Sequence, residues 1–247
     1  MIATPTQSNV LTQLGNFLTE VLPIGTVVRV GQQNRVAEPK VGNFVIMTPI
    51  RIERLETNVD GYGDAVFTGS VAGTTLTITA VDARFPNARL GVGSVVSGAN
   101  VAAGTTVLAI LTGAGQVGTY TVDRASTAAS TTISAGAKQV MQPARVTVQL
   151  DFHSADQSAF DMAAVVSTLM RDEFAVQQFA NQSPGYGVVP LYADDPAQRP
   201  FFNDQQQYEW RWVLEALLQA NVVVGVPQEF ADSVDLNVVS VDATYPP

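Results

Sequence analysis

His153 is the only histidine among 247 residues. It follows Asp151 at the two-residue spacing that puts both side chains on one face of a strand. A carboxylate that orients an imidazole is half of a hydrolytic triad, so the pair prompts a search for a nucleophile. No serine sits in a G-x-S-x-G elbow, and a chain without cysteine has no thiolate nucleophile and no disulfide. Zinc needs several His or Cys ligands, which one histidine cannot supply. Two adjacent acidic pairs, Asp172–Glu173 and Asp194–Asp195, raise the question of calcium or of acid–base catalysis. Catalytic carboxylates work by facing one another across a cleft, whereas neighbours in a Pro-rich stretch such as PLYADDP cap turns. The Gly-rich pieces GVGSVVSGAN and GAGQVG lack the Lys-Ser/Thr ending and the following helix of a phosphate cradle. The residues therefore predict no catalytic group, no cofactor and no metal site. His153 is expected on a solvated or interface face. Arg51 and Arg54 are candidate interface charges, with plain surface solvation as the alternative. Asp194 and Asp195 are candidates for an interface or for a channel wall, because their loop is charged; the alternative is an outward turn.

The elements that must position these residues follow from composition and periodicity. Hydrophobic residues make up 46% of the chain and charged residues only 14%, against about 25% in ordinary globular proteins. A neutral surface suits protein–protein faces, whose cores are depleted of charge. The net charge is −9 and no Lys/Arg cluster tracks a phosphate backbone, which disfavours a nucleic-acid reader. The N-terminus lacks the basic and apolar regions of a signal peptide. No apolar run approaches the ~20 residues of a membrane span.

Residues 60–137 differ from the rest. They are dominated by Gly, Thr, Ser, Ala and Val, with short alternating runs such as Leu76–Ile78–Ala80 and Tyr120–Val122 between Gly-containing turns, which predicts an inserted, sandwich-like all-β domain. GTT recurs at Gly73–Thr75 and Gly104–Thr106 and reads as hairpin punctuation. Residues 1–59 and 138–247 then form one discontinuous α+β core, a sheet with helices packed on it. In that core Val10, Leu14, Phe17, Leu18 and Val21 share one helical face, with Ser8 as N-cap and Pro23 with Gly25 as terminator. Strands are expected over 26–30 and 44–53, with Pro49 marking an edge or a bulge. Ala144 to His153 alternate as a half-buried strand. A second helix is expected from Ser154, paired with Gln157 as a capping box, carrying Phe160, Ala163, Ala164, Met170 and Phe174 inward. Residues 208–219 have helix propensity, but Tyr208, Trp210, Trp212, Leu214 and Leu218 share one parity, so a long strand continuing to Val226 is preferred. A last strand is expected over 236–241.

Several longer strings are more specific than composition. MTPIRIERLETNVDGYGD, VTVQLDFHS, PLYADDP and FADSVDLNVVSVDATYP, in that order, resemble the neck or tail-terminator proteins of tailed bacteriophages. The string TGSVAGTTLTITAV with GVGSVVSGANVAAGTTVLAI is similar to a β-module of phage structural proteins. The resemblance implies a structural virion protein at the neck, assembled in the host cytoplasm. It implies a homohexameric ring that ends the tail tube, meets sheath proteins in a contractile tail, joins a head-completion or connector protein, and lets DNA pass without reading its sequence. A large insert departs from the plain family pattern. The competing class is a virion binding module in which the inserted domain recognises a host glycan or protein.

Overall fold

The structure is a computed structural model that describes residues 3–31, 42–84, 86–183, 185–202 and 208–228. In chain order the elements are α1 (Gln7–Val21), β1 (Val27–Val30), β2 (Phe44–Arg54), β3 (Val59–Val81), β4 (Val95–Gly98), β5 (Thr105–Ile110), β6 (Gly118–Ser154), α2 (Ser158–Leu169), α3 (Glu173–Asn181), β7 (Val188–Ala193), β8 (Ala197–Gln198), β9 (Phe201–Phe202) and β10 (Tyr208–Pro227). The class is α+β. The described residues divide into two compact units, residues up to 61 with 139–225, and residues 62–138 with those after 225.

The first unit holds a sheet in the order β1-β2-β6-β10-β7. β1 runs parallel to β2, while β2 against β6 and β10 against β7 are antiparallel. α1 forms because Val10, Leu14, Phe17 and Leu18 make one apolar stripe, and that stripe is buried. Each such side chain contributes roughly 1.5–3 kcal/mol by leaving water. Ser8 is not the cap. Thr6 is, in a reciprocal box with Asn9: the Asn9 amide donates to the Thr6 hydroxyl (3.2 Å) and the Thr6 amide to Asn9 Oδ1 (2.9 Å). Asn takes the place of the usual Glu/Gln, and the cap lies two residues before the expected Ser8. Gln13 is buried on α1 and ties it to the end of α3 and the chain that follows, donating to the Phe179 carbonyl (2.8 Å) and accepting from the Tyr186 amide (3.3 Å).

Pro49 lies at a register shift between Pro49 and Arg51, the bulge that a residue without an N–H invites. The core behind the sheet gathers Val45 and Met47 of β2, Val146, Val148, Leu150 and Phe152 of β6, Leu214, Ala216, Leu218 and Ala220 of β10, and the inner faces of the helices. β10 is thus the long strand that its parity indicates, and helix propensity loses to sheet packing.

The helix expected from Ser154 is corrected in three ways. Ser154 ends β6; the N-cap is Gln157, with no side-chain hydrogen bond. Ser154 Oγ still serves the turn, accepting from the Ala159 amide (2.9 Å) while donating to the Asp156 carbonyl. The helix is also two, broken where Asp172 caps α3 by accepting from the Phe174 amide (2.8 Å). Phe160 and Phe174 are exposed, and Phe160 packs edge-on against Trp212 instead. Ala163 and Met170 are buried as expected. The strand expected over 236–241 lies outside the described residues.

The second unit is all β. Its core contains Phe67, Leu76, Ile78, Val96, Val107, Tyr120, Val122 and Ile133; Ala80, expected on the same face, is exposed. Thr79 Oγ1 donates to Thr68 O and the Asp82 amide to Val66 O, so β3 doubles back about Gly73, whose φ of 61° is left-handed. Gly104, at φ 69°, precedes β5 in the β4–β5 hairpin. Both GTT strings therefore sit at reversals.

Candidate functional site

The chemistry-bearing side chains of the first unit gather on the sheet face away from the helices. Side chains alternate along β6, so Val148, Leu150 and Phe152 face the helices while Thr147, Gln149, Asp151 and His153 face the other way. Of the two expectations for His153, a solvated or an interface face, the solvated one does not hold. Thr147, Asp151 and His153 are all buried, His153 at 2% exposure. The reason is cross-strand polar packing. Arg211 of β10 donates through Nε (3.0 Å) and Nη2 (2.5 Å) to Asp151 Oδ1, and Gln149 Nε2 donates to Oδ2 (2.8 Å). Phe44 of β2 stands opposite His153 in register and stacks on it with ring centroids 4.5 Å apart.

This arrangement does not build a triad. The Asp151 carboxylate is taken up by Arg211 and Gln149. Burial first, and the Arg211 charge second, push His153 down to about 4 against the smaller opposing pull of Asp151. The ring is neutral at pH 7. A fixed neutral imidazole between an aromatic ring and an ion pair rigidifies a sheet face. Among the described residues no group of three His, Asp or Glu is placed to hold a metal ion.

Arg51 joins a second network on the same sheet. Arg51 Nη1 lies 3.1 Å from Glu53 Oε1, and Arg145 of β6 pairs closely with Glu53 Oε2. Hydrogen bonding from Arg145 holds the Glu53 carboxyl below its usual range, and the charges of Arg145 and Arg51 add to this against partial desolvation. Arg54 is exposed on β2 with no ion pair to a described residue. Asp194 and Asp195 stand after β7, which β6 and β10 separate from β2, so the acidic pair and the Arg51–Arg54 pair are not brought together. The Asp194 backbone is tied down, its amide donating to Glu215 O (2.9 Å) and its carbonyl accepting from Ser167 Oγ (3.1 Å). The Asp195 side chain is 98% exposed, 3.6 Å from Arg171. The Asp151–Arg211 and Glu53–Arg145 pairs have no signal in local spacing, because each joins strands far apart in the chain.

No described helix is long and apolar enough to cross a membrane. No curated protein matches the chain. Residues 112–242 match the family model described as phage neck terminator protein. The match takes in β6 to β10 and also residues 112–137, part of the segment read as inserted. It spans more than half of the sequence, and the family is one of structural neck proteins. This chain belongs to the phage neck terminator protein family.

Proposed function

We propose that copies of this chain form a ring, of six subunits, at the junction of head and tail, where it ends the tail tube and joins it to head-completion proteins while DNA passes through. The match of residues 112–242 to the neck terminator family carries the reading. The polar sheet face agrees with it, since Asp151, Glu53 and His153 are engaged in cross-strand contacts there. A ring requires heterologous contacts that close, and among the described residues the sheet ends on two different strands, β1 and β7, of which β7 exposes Val189, Leu191 and Tyr192. Acidic side chains of the core, with Asp194 and Asp195 as candidates, would keep passing phosphates from adhering. Residues 60–137 are proposed as a module that folds by itself. The test is a virion preparation from a phage lacking the chain: tails of unregulated length and heads without tails are expected, whereas normal joined particles would overturn the reading.

A second reading has its own observation. Val92, Leu108, Ile110, Leu111 and Val117 are exposed in the second unit, and the Gly93–Val107 and Leu111–Thr119 backbone bonds gather them at one end. An apolar end of this kind favours a protein partner over a glycan.

A further inference from the structure

The first unit carries an apolar knob and an apolar groove at opposite ends of α1. The knob is Ile24, at the tip of the Pro23–Gly25 turn, where Gly25 takes φ 93°; at 107% exposure its side chain stands open to solvent. The groove, about 260 Å³, is lined by Pro5, Val10, Pro49, Ile50, Ile52 and Val146 among others. Ile50 and Ile52 on its wall are 49% and 63% exposed. An apolar cavity of ~150 Å³ accommodates a benzene ring, so the groove has room for an isoleucine side chain. The fifteen residues of α1 separate the two features by about 22 Å.

The charges around them are complementary. Near the knob, Glu20 precedes the turn, and Thr26 contacts Met162 Sδ, which brings the start of α2 with exposed Asp156 and Asp161 to the same end. At the groove, Arg51, which shares Glu53 with Arg145, lines the wall, and Arg54 is exposed close by on β2, so cations outnumber the one carboxylate there. Opposite charge across a contact fixes register and suppresses wrong partners.

We propose that the occupant of the groove is a second copy of this chain, the Ile24 turn of one copy seating between Ile50, Ile52 and Val10 of the next. Because knob and groove are different surfaces at opposite ends, the contact is heterologous and propagates head to tail, closing into a ring when the rotation allows. The proposal rests on the ring reading and names the contact that makes the ring.

The chain has no cysteine, which permits a direct test by oxidative cross-linking of the full chain. The double variant Ile24→Cys with Ile52→Cys is expected to give a covalent ladder on a denaturing gel. A mixture of the two single variants should stop at dimers, and neither single variant alone should link. Ile24→Asp, in an exposed turn that leaves the fold alone, should weaken assembly by roughly ten- to a hundredfold. If the wild type forms rings but the double variant yields no ladder, the contact lies elsewhere and the ring reading stands. If the wild type stays monomeric, both fall.

Discussion

The two units reach stability by different means. In the first, three helices cover one face of a sheet, and bulky aliphatic and aromatic side chains such as Leu14, Phe17, Leu150, Phe152 and Phe179 fill the layer between. Its other face is closed by ion pairs and a stacked histidine. The second unit has strands alone, with Ala, Val and a few large residues inside and glycine at the reversals. Charge is unevenly spread along the chain. Residues 62–138 carry Asp64, Asp82 and Asp123 against Arg84, Arg89, Arg124 and Lys138, a net +1, so the acidity of the chain, −9 overall, lies entirely outside them. Residues after 225, grouped with the second unit, add Glu229, Asp232, Asp235 and Asp242, so acidic side chains occur in both units. The comparison also separates two kinds of polar residue: those that satisfy buried partners, and those such as Asp195 that meet water.

The largest expected effect tests whether the units melt separately. Phe152→Ala should cost roughly 3–5 kcal/mol through the cavity it leaves and lower one calorimetric transition, while Phe67→Ala lowers the other. A single transition that both variants shift would mean one cooperative body. Replacing residues 60–137 by a short Gly/Ser loop should leave the remaining core folded, since loop length itself costs little; an insoluble product would show that the β-unit completes the core.

Next in size is the buried ion pair. Asp151→Ala strands the Arg211 guanidinium on a covered face and should destabilise by about 2–3 kcal/mol, read as a loss in denaturant midpoint.

The units should also part company in their pH responses. His153 has a folded pKa of about 4 against an ordinary value of 6.5, so the folded state disfavours the imidazolium. The stability this supplies is complete above pH 6.5 and is lost as pH falls towards 4, by about 2–3 kcal/mol at most after solvent screening. His153→Gln should flatten that slope in unfolding titrations. Tyr120 in the second unit is pushed up to about 12, first by burial, with Arg89 pulling the other way. Its contribution is complete below pH 10 and is lost as pH rises towards 12, so Tyr120→Phe should remove an alkaline loss and leave the acid limb alone. Acid sensitivity that persists in His153→Gln would place its source elsewhere, with Glu53 and Asp156, both held low by hydrogen bonds, as the candidates at lower pH.

The smallest effect belongs to Asp195→Ala, within about ±0.5 kcal/mol for a surface side chain. A larger change in the isolated subunit would mean that Asp195 has a structural partner.

Legibility in the sequence followed locality. β10 could be read because Trp212, Leu214 and Leu218 repeat at period 2 while Glu209, Arg211 and Glu215 fall between them. The stripe on α1 could be read for the same reason. The cap of α1 was misplaced because Asn9 does at Thr6 what Glu usually does. Ser154 was misassigned because one hydroxyl can close the turn after a strand as well as cap a helix. Parity places Asp151 and His153 on one face but does not state that this face is covered: Arg211 is sixty positions away, and no local pattern states that a polar face will be covered by a polar partner. The Ile24 knob and its groove were invisible, since both depend on how separated segments meet.

The central claim, a structural subunit that assembles with itself, is tested most directly by electron microscopy of the purified full-length chain at tens of micromolar. Closed rings with six-fold class averages are the expected result. A field of uniform monomers, confirmed by sedimentation at the same concentration, would contradict it.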